Sequence, residues 1–292
     1  MSGIAPGTTV GQVQLTVRDL DRSQDFYERA LGLETVERDG AELALAAPEG
    51  ERLVALRGDP EAPPLDDRAT GLFHFAVLVP SRADLSVALV RLAQAGCRLT
   101  GASDHLVSEA LYLHDPDGNG IEIYRDRPRE EWPTDESGQL QMATLPLDLQ
   151  GLASELSPER LDGQAGQLPK LPRATRMGHI HLQVSELREI EAFYDGVLGF
   201  DITVRRYPGA LFVSAGGYHH HVGLNTWNSR GSGPPAPGSV GLRAFEVVLP
   251  DAAAREQVLE RLEAAGVPGE PRGEGTLVRD PSGNAVLLRQ AT

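Results

Sequence analysis

GQVQLTVRDLDRSQDFYERALGL, residues 11–33, aligns without a gap with GHIHLQVSELREIEAFYDGVLGF, residues 178–200. Both stretches contain a Phe-Tyr pair in their second half and a Leu-Gly pair close to their end. A long internal repeat indicates that a chain is built from copies of one supersecondary unit. The chain is therefore predicted to fold as repeated copies of one such unit.

A second repeat follows each copy of the first. GLFHFAVLVP at residues 71–80 matches GLRAFEVVLP at residues 241–250, and DPDGN at residues 115–119 matches DPSGN at residues 280–284. The chain therefore contains four modules, which we number one to four and which cover residues 10–58, 70–125, 177–229 and 240–290.

Each module is predicted to fold in the order β-α-β-β-β, because an alternating strand precedes an amphipathic helix and short strands separated by Gly/Pro turns. In module two, the odd-numbered residues from Phe73 to Val79 form an apolar face. This face is predicted to pack under a helix over residues 82–95, with His74 on the opposite face. Gly96 is of the type that commonly follows a helix end.

The modules are predicted to form two regions, residues 1–125 and residues 177–292. Residues 126–176 between them are rich in Pro, Asp, Glu and Gln and show weak periodicity. They are interpreted as a linker with one short helix near residues 149–155.

Composition excludes several classes of protein. With 40% hydrophobic and 24% charged residues, the 292-residue chain is typical of globular proteins. Cys97 is the single cysteine, which excludes a disulfide framework and a thiolate zinc site, so histidine and carboxylate are the candidate metal ligands. A net charge of −15 disfavours nucleic acid as a partner.

A cytoplasmic protein is expected. The first nine residues show no signal-peptide pattern, and no run of eighteen apolar residues occurs, so neither export nor a membrane span is predicted. A single cysteine is also consistent with a reducing compartment.

The module starts and turn motifs resemble the vicinal oxygen chelate superfamily, which includes glyoxalase I, bleomycin-resistance proteins and type I extradiol dioxygenases. The resemblance covers nearly all of the chain outside the linker. It implies an α+β fold in which four βαβββ modules form two cup-shaped curved sheets, the glyoxalase/extradiol dioxygenase fold. It also implies metal ligands on the first strand of modules and on the last strand of one module.

Carried over to this chain, these ligand positions are occupied by different residue types in different modules. The first-strand position falls at Gln12, His74, His179 and Ala244 in modules one to four, and the last-strand position falls at Glu122 and Leu287 in modules two and four. Module four lacks both ligands. The expected site therefore pairs modules two and three and holds Fe(II), or alternatively Mn(II), through His74, Glu122 and His179. A competing arrangement pairs modules one and two and uses Gln12, as in some glyoxalase I enzymes.

Two further stretches resemble catechol-cleaving extradiol enzymes. HLVSEALYLHDPDGNGIEIY, residues 105–124, implies that His105 contacts a substrate oxygen and that Tyr112 positions the catecholate. YHHHVGLNTW, residues 218–227, resembles the strand that carries the acid–base histidine and points to His220. Alternation along a strand leaves His221 open as well.

The resemblance thus implies an extradiol dioxygenase that inserts O2 into a catechol-type substrate at one Fe(II) to give a muconic semialdehyde. The expected partners are a small aromatic diol and O2, and a homo-oligomer is left open. His114 and His181 are interpreted as structural, and an adventitious metal-binding tract is the alternative for the three consecutive histidines. Two other functions remain as hypotheses: a glyoxalase-like lyase or isomerase, and a non-catalytic small-molecule-binding protein of the resistance type.

Overall fold

The computed structural model describes residues 3–136, 138–156 and 168–291. Within these residues the four modules follow the predicted β-α-β-β-β order, which is confirmed. The strands of modules one and two are β1 (Thr9–Val17), β2 (Glu34–Asp39), β3 (Glu42–Ala46), β4 (Arg52–Gly58), β5 (Gly71–Leu78), β6 (Gly101–Asp104), β7 (Ser108–His114) and β8 (Gly120–Asp126). After β9 (Leu145–Pro146), the strands of modules three and four are β10 (Arg176–Gln183), β11 (Asp201–Val204), β12 (Ala210–Ser214), β13 (Val222–Asn225), β14 (Gly241–Leu249), β15 (Glu270–Arg272), β16 (Gly275–Arg279) and β17 (Ala285–Gln290).

The helices are short apart from those of modules two and four. Among the described residues, the α-helices are α1 (Leu20–Phe26), α2 (Arg82–Gln94), α3 (Leu149–Ser154), α4 (Leu187–Glu191) and α5 (Ala252–Ala264). Helices α1 and α4 continue as π-helical turns over Tyr27–Leu31 and Ala192–Val197. Helix α2 begins where the Ser81 side chain accepts the backbone N–H of Asp84, and it ends before Gly96, whose φ of 69° only glycine adopts without strain. The predicted helix over residues 82–95 is therefore confirmed to within one residue.

The strands form two curled mixed sheets, so the predicted α+β fold is confirmed. The eight-stranded sheet has the order β15-β16-β17-β14-β1-β4-β3-β2, and the nine-stranded sheet has the order β11-β12-β13-β10-β5-β8-β7-β6-β9. Modules one and four thus share one sheet, and modules two and three share the other. The predicted pairing of modules two and three is confirmed, and the alternative pairing of modules one and two is wrong.

The two repeated motifs are joined by a buried hydrogen bond. The Tyr27 hydroxyl donates to a carboxylate oxygen of Asp115 at 3.0 Å, and Asp115 also accepts the backbone N–H groups of Asp117 and Asn119. Tyr194 repeats this contact with Asp280 in the second half of the chain. Burial, reinforced by the nearby carboxylate, raises the pKa of the Tyr27 phenol well above its ordinary value, so the hydroxyl remains a donor.

Two local predictions differ from the structure. Strand β13 begins at Val222, so residues 218–221 precede the strand and the alternation argument for His220 and His221 does not apply. Phe73 was predicted to pack under the helix together with Phe75, but its ring contacts His181 and Trp227. At the first place, a turn that contains Gly216 and Gly217 delays the start of the strand. At the second, contacts with distant aromatic rings determine where the Phe73 side chain lies, and the local strand pattern does not.

The linker contains more structure than composition indicated. Helix α3 confirms the predicted short helix, and β9 extends the nine-stranded sheet by pairing with β6. Residues 157–167 of the linker lie outside the described residues. No helix among the described residues is both long and apolar enough to span a membrane.

Removal of the Tyr27 hydroxyl should destabilise the fold, because Asp115 then loses a buried donor. Tyr27→Phe is expected to lower the free energy of unfolding by about 1–2 kcal/mol, and Tyr194→Phe by a similar amount. Urea denaturation measures the change. As a control, Asp25→Asn removes an exposed ion pair with Arg29 on the same segment and should change stability by less than about 0.5 kcal/mol. Unchanged stability in both tyrosine variants would contradict this role of the hydroxyl.

Candidate metal centre

Three predicted ligands lie on three adjacent strands of the nine-stranded sheet. His74 lies on β5, Glu122 on β8 and His179 on β10. One ring nitrogen of each histidine and one carboxylate oxygen all lie within 4.8 Å of one another. The three side chains are only 7%, 2% and 2% exposed. Since a buried carboxylate is unfavourable without compensation, this cluster has the character of a ligand site.

Small and aromatic side chains line the sheet next to Glu122. In the antiparallel pair of β7 and β8, Tyr112 lies directly opposite Glu122, and Ala110 lies opposite Tyr124. Ala110 and Tyr124 pack with Ala76 and Leu78 of β5, and Tyr112 packs against this cluster. Because side chains alternate along a strand, Glu122 and Tyr124 share one face of β8.

His105 and Tyr112 form a hydrogen-bonded pair. The Nε2 atom of His105 lies 2.7 Å from the Tyr112 hydroxyl, and its Nδ1 atom lies 2.6 Å from the carbonyl oxygen of Ala143. A carbonyl oxygen can only accept, so Nδ1 must carry the hydrogen. In the neutral ring, Nε2 therefore accepts the hydrogen bond from the tyrosine hydroxyl.

Histidines of module three cluster around His179. The ring centroid of His220 lies 4.2 Å from that of His179, and the ring of His219 lies 6.1 Å from it. The Nδ1 atoms of His219 and His220 are 2.9 Å apart, so one donates and the other accepts. Burial, and to a smaller extent the surrounding imidazoles, lower the pKa of His220 well below its usual value of 6.5.

His220 and His221 have different surroundings. His221 accepts the backbone N–H of Ala215 through Nδ1 at 3.1 Å, and its ring contacts Tyr218 and Phe200. This bond engages one ring nitrogen of His221 in the local turn. Of the two histidines that the sequence left open, His220 is thus the one whose ring lies 4.2 Å from that of His179, with the ring planes inclined by 51°.

The equivalent positions of modules one and four form no such cluster. Gln12 lies on β1 in the eight-stranded sheet, where its backbone N–H donates to Glu246. Ala244 and Leu287 pack with Leu277 and Ala285 in an apolar cluster. The expected loss of ligands in module four is therefore accompanied by apolar packing.

Sequence reasoning missed two contributors to this region. The Ala143 carbonyl comes from the linker, and a backbone carbonyl leaves no residue signature in a sequence. His181 was interpreted as structural, but its ring lies 5.0 Å from that of His74. The signal for His181 was its position two residues after His179, which places both on the same face of β10. His114, the other histidine interpreted as structural, is exposed at the end of β7.

Comparisons with known proteins agree with the fold. A sequence model of the Glyoxalase/Bleomycin resistance protein/Dioxygenase superfamily matches residues 9–123 and 176–288. The folds of two solved structures are similar: a protein of Bacillus subtilis subsp. subtilis str. 168, and glyoxalase I from Zea mays. The first has a TM-score of 0.66 and 14% identity, covering 99% of this chain and 86% of that chain. The second has a TM-score of 0.58 and 15% identity, covering 97% and 92%. At these identities the likeness shows the fold alone.

Two proteins of known activity are more similar to this chain in sequence than these solved structures are. Catechol-2,3-dioxygenase of Bacillus subtilis (strain 168) is 44% identical over 290 residues, which cover 98% of this chain and 99% of that protein. Biphenyl-2,3-diol 1,2-dioxygenase 3 of Rhodococcus globerulus is 31% identical over 114 residues, covering 38% of this chain and 60% of that protein. These matches confirm the resemblance inferred from the motifs. The chain therefore belongs to the Glyoxalase/Bleomycin resistance protein/Dioxygenase superfamily and is an enzyme similar to catechol-2,3-dioxygenase.

Proposed function

We propose that this protein opens the ring of a catechol-type substrate by extradiol cleavage, with one Fe(II) held by His74, Glu122 and His179. One observation carries the proposal: two imidazoles and one carboxylate meet in a chain that is 44% identical to a catechol-2,3-dioxygenase. The net reaction adds both atoms of O2 to the diol and breaks a ring C–C bond beside one hydroxyl-bearing carbon. The product is a muconic semialdehyde, and no external reductant is required.

The donor set fits this metal. Two neutral imidazoles and one carboxylate are the ligands of the two-histidine, one-carboxylate sites that hold non-haem Fe(II), and Mn(II) is the alternative. The negative charge of Glu122 is buried, so a divalent cation would compensate it. When bound, the metal supplies open positions at which both catechol oxygens and O2 come together.

His105 and Tyr112 are suited to take a proton from the diol. The Tyr112 oxygen can accept a proton from a substrate hydroxyl while its own proton moves to Nε2 of His105. The resulting imidazolium keeps its Nδ1–H bond to the Ala143 carbonyl, which stabilises the positive charge. The linker thereby contributes to the proton path through a backbone atom.

His220 is proposed as the acid–base residue. It is 6% exposed, and burial lowers its pKa, so it is neutral near pH 7. A neutral imidazole must accept a proton before it can donate one. The second catechol hydroxyl is a suitable source, and His220 would return this proton when the ring opens.

Substitution of the proposed ligands should separate metal binding from catalysis. His74→Ala, Glu122→Gln and His179→Ala are each expected to lower bound iron from about one per chain to less than a tenth, since each removes one ligand of three. His220→Ala should keep its iron and lose kcat by a factor of about 10² to 10⁴, the range of general acid–base catalysis. Iron analysis after anaerobic reconstitution, and oxygen uptake with catechol, measure the two effects.

His114→Ala is the matched control, because His114 is an exposed histidine on the strand that also carries Tyr112. It should change neither iron content nor oxygen uptake. Two results would refute the proposal. One is iron bound without oxygen uptake on any catechol, which would favour a lyase or isomerase. The other is stoichiometric catechol binding without metal, which would favour a binding protein.

The tautomer of His105 gives an independent test of the proton path. Because Nδ1 faces a carbonyl oxygen, ¹⁵N-edited NMR of the metal-free protein should show the neutral ring of His105 protonated at Nδ1 and bare at Nε2. The His105→Gln spectrum identifies the signals, and the His114→Gln spectrum serves as the comparison. A ring protonated at Nε2 alone would be incompatible with the proposed transfer from Tyr112.

A further inference from the structure

Aromatic rings form a continuous series within one compact unit of the chain, made of residues 1–16, 62–75 and 178–292. We call this series the aromatic wall and define it as Phe73, His181, Tyr207, Phe212 and Trp227. The ring of Phe73 lies 5.1 Å from that of His181 and 5.3 Å from that of Trp227, and the rings of His181 and Trp227 are 5.4 Å apart. Tyr207 contacts both Phe212 and Trp227. Centroid distances of this size are typical of packed aromatic pairs.

The inner end of the aromatic wall adjoins the histidines of the proposed site. The rings of Phe73 and His181 lie 5.4 Å and 5.0 Å from that of His74. On the other side, the ring of Phe212 lies 5.0 Å from that of His220. A molecule held between His74 and His220 would therefore lie next to the aromatic wall.

The outer end of the aromatic wall is an exposed but fixed indole. Trp227 is 43% exposed, yet its Nε1–H donates to the Pro208 carbonyl at 2.9 Å and its backbone N–H donates to Asn225. Gly209 has a φ of 70°, and a Cβ there would lie 3.0 Å from the indole ring, so a larger residue at this position would be strained. An indole that is held rigidly and still exposed adds little to the core, whereas rigid exposed aromatics are typical of binding sites.

We infer that the aromatic wall binds an uncharged aryl or alkyl substituent on the catechol ring, with Trp227 as its outer contact. This inference rests on the proposed function and names the substrate class for that site. None of the five side chains carries a permanent charge. The net charge of −15 also disfavours an anionic substituent such as a carboxylate. The aromatic wall thus selects among catechols, and Trp227 is a specificity-determining residue.

Competition between substrates tests the inference with the iron-reconstituted protein. The ratio of kcat/KM for phenyl-substituted catechols, at ring position 3 or 4, to that for catechol is measured. This gives one ratio for 3-phenylcatechol and one for 4-phenylcatechol. For whichever of these substrates has the higher ratio in the wild type, Trp227→Ala should lower that ratio about tenfold through a raised KM. Trp132→Ala removes the only other tryptophan, whose indole donates to the Arg127 carbonyl outside the aromatic wall. This control should leave the ratio unchanged.

Fluorescence gives a second readout that needs no turnover. Under anaerobic conditions, a phenyl-substituted catechol should quench Trp132→Phe, which keeps Trp227, and should leave the emission of Trp227→Phe largely unchanged. If Trp227→Ala and the wild type show the same ratio of kcat/KM for the phenyl-substituted catechol to that for catechol, the inference is overturned and the proposed function stays intact. Absence of turnover on every catechol would instead refute the proposed function. Equal quenching in the two single-tryptophan variants would also overturn the inference.

Discussion

The pairing of β5 with its two neighbours in the nine-stranded sheet is the constraint on which the candidate site depends. Strand β5 lies between β8 and β10, so the first strands of modules two and three are adjacent. Since side chains alternate along strands, a slip of one residue in either pairing would turn one of these side chains to the other face. Backbone hydrogen bonding between these strands therefore brings together three side chains that are far apart in sequence. One ligand atom of each, from His74, Glu122 and His179, lies within 4.8 Å of the other two.

The two sheets differ in whether apolar or polar side chains are buried at the equivalent positions. In the eight-stranded sheet, Ala244 and Leu287 occupy the positions equivalent to His74 and Glu122, and they belong to an apolar cluster. Burial of apolar surface stabilises that cluster. The nine-stranded sheet instead keeps two imidazoles and a carboxylate buried, which is less favourable than apolar packing and would be offset by a bound cation. The same module thus supports either a packed core or a polar site, depending on a few positions.

Much of the fold followed from the sequence because the repeats are long and their periodicity is strong. The module order, the pairing of modules two and three and the grouping of His74, Glu122 and His179 were all accessible from aligned motifs. The turn before β13 was not, because three consecutive histidines fit a strand and a turn equally well. Contacts between side chains from distant segments, such as Phe73 with Trp227, also carry no local signal. The Ala143 carbonyl was inaccessible for the same reason, since any residue provides one.

The most direct test of the central claim is the position of the metal in a crystal of the Fe(II)-loaded protein, measured from iron anomalous scattering. One peak per chain is predicted at coordination distance from a ring nitrogen of His74, a ring nitrogen of His179 and a carboxylate oxygen of Glu122. A peak bound by other residues, such as the run of histidines at residues 219–221, would contradict the claim. So would an iron-loaded crystal in which the three side chains hold no metal.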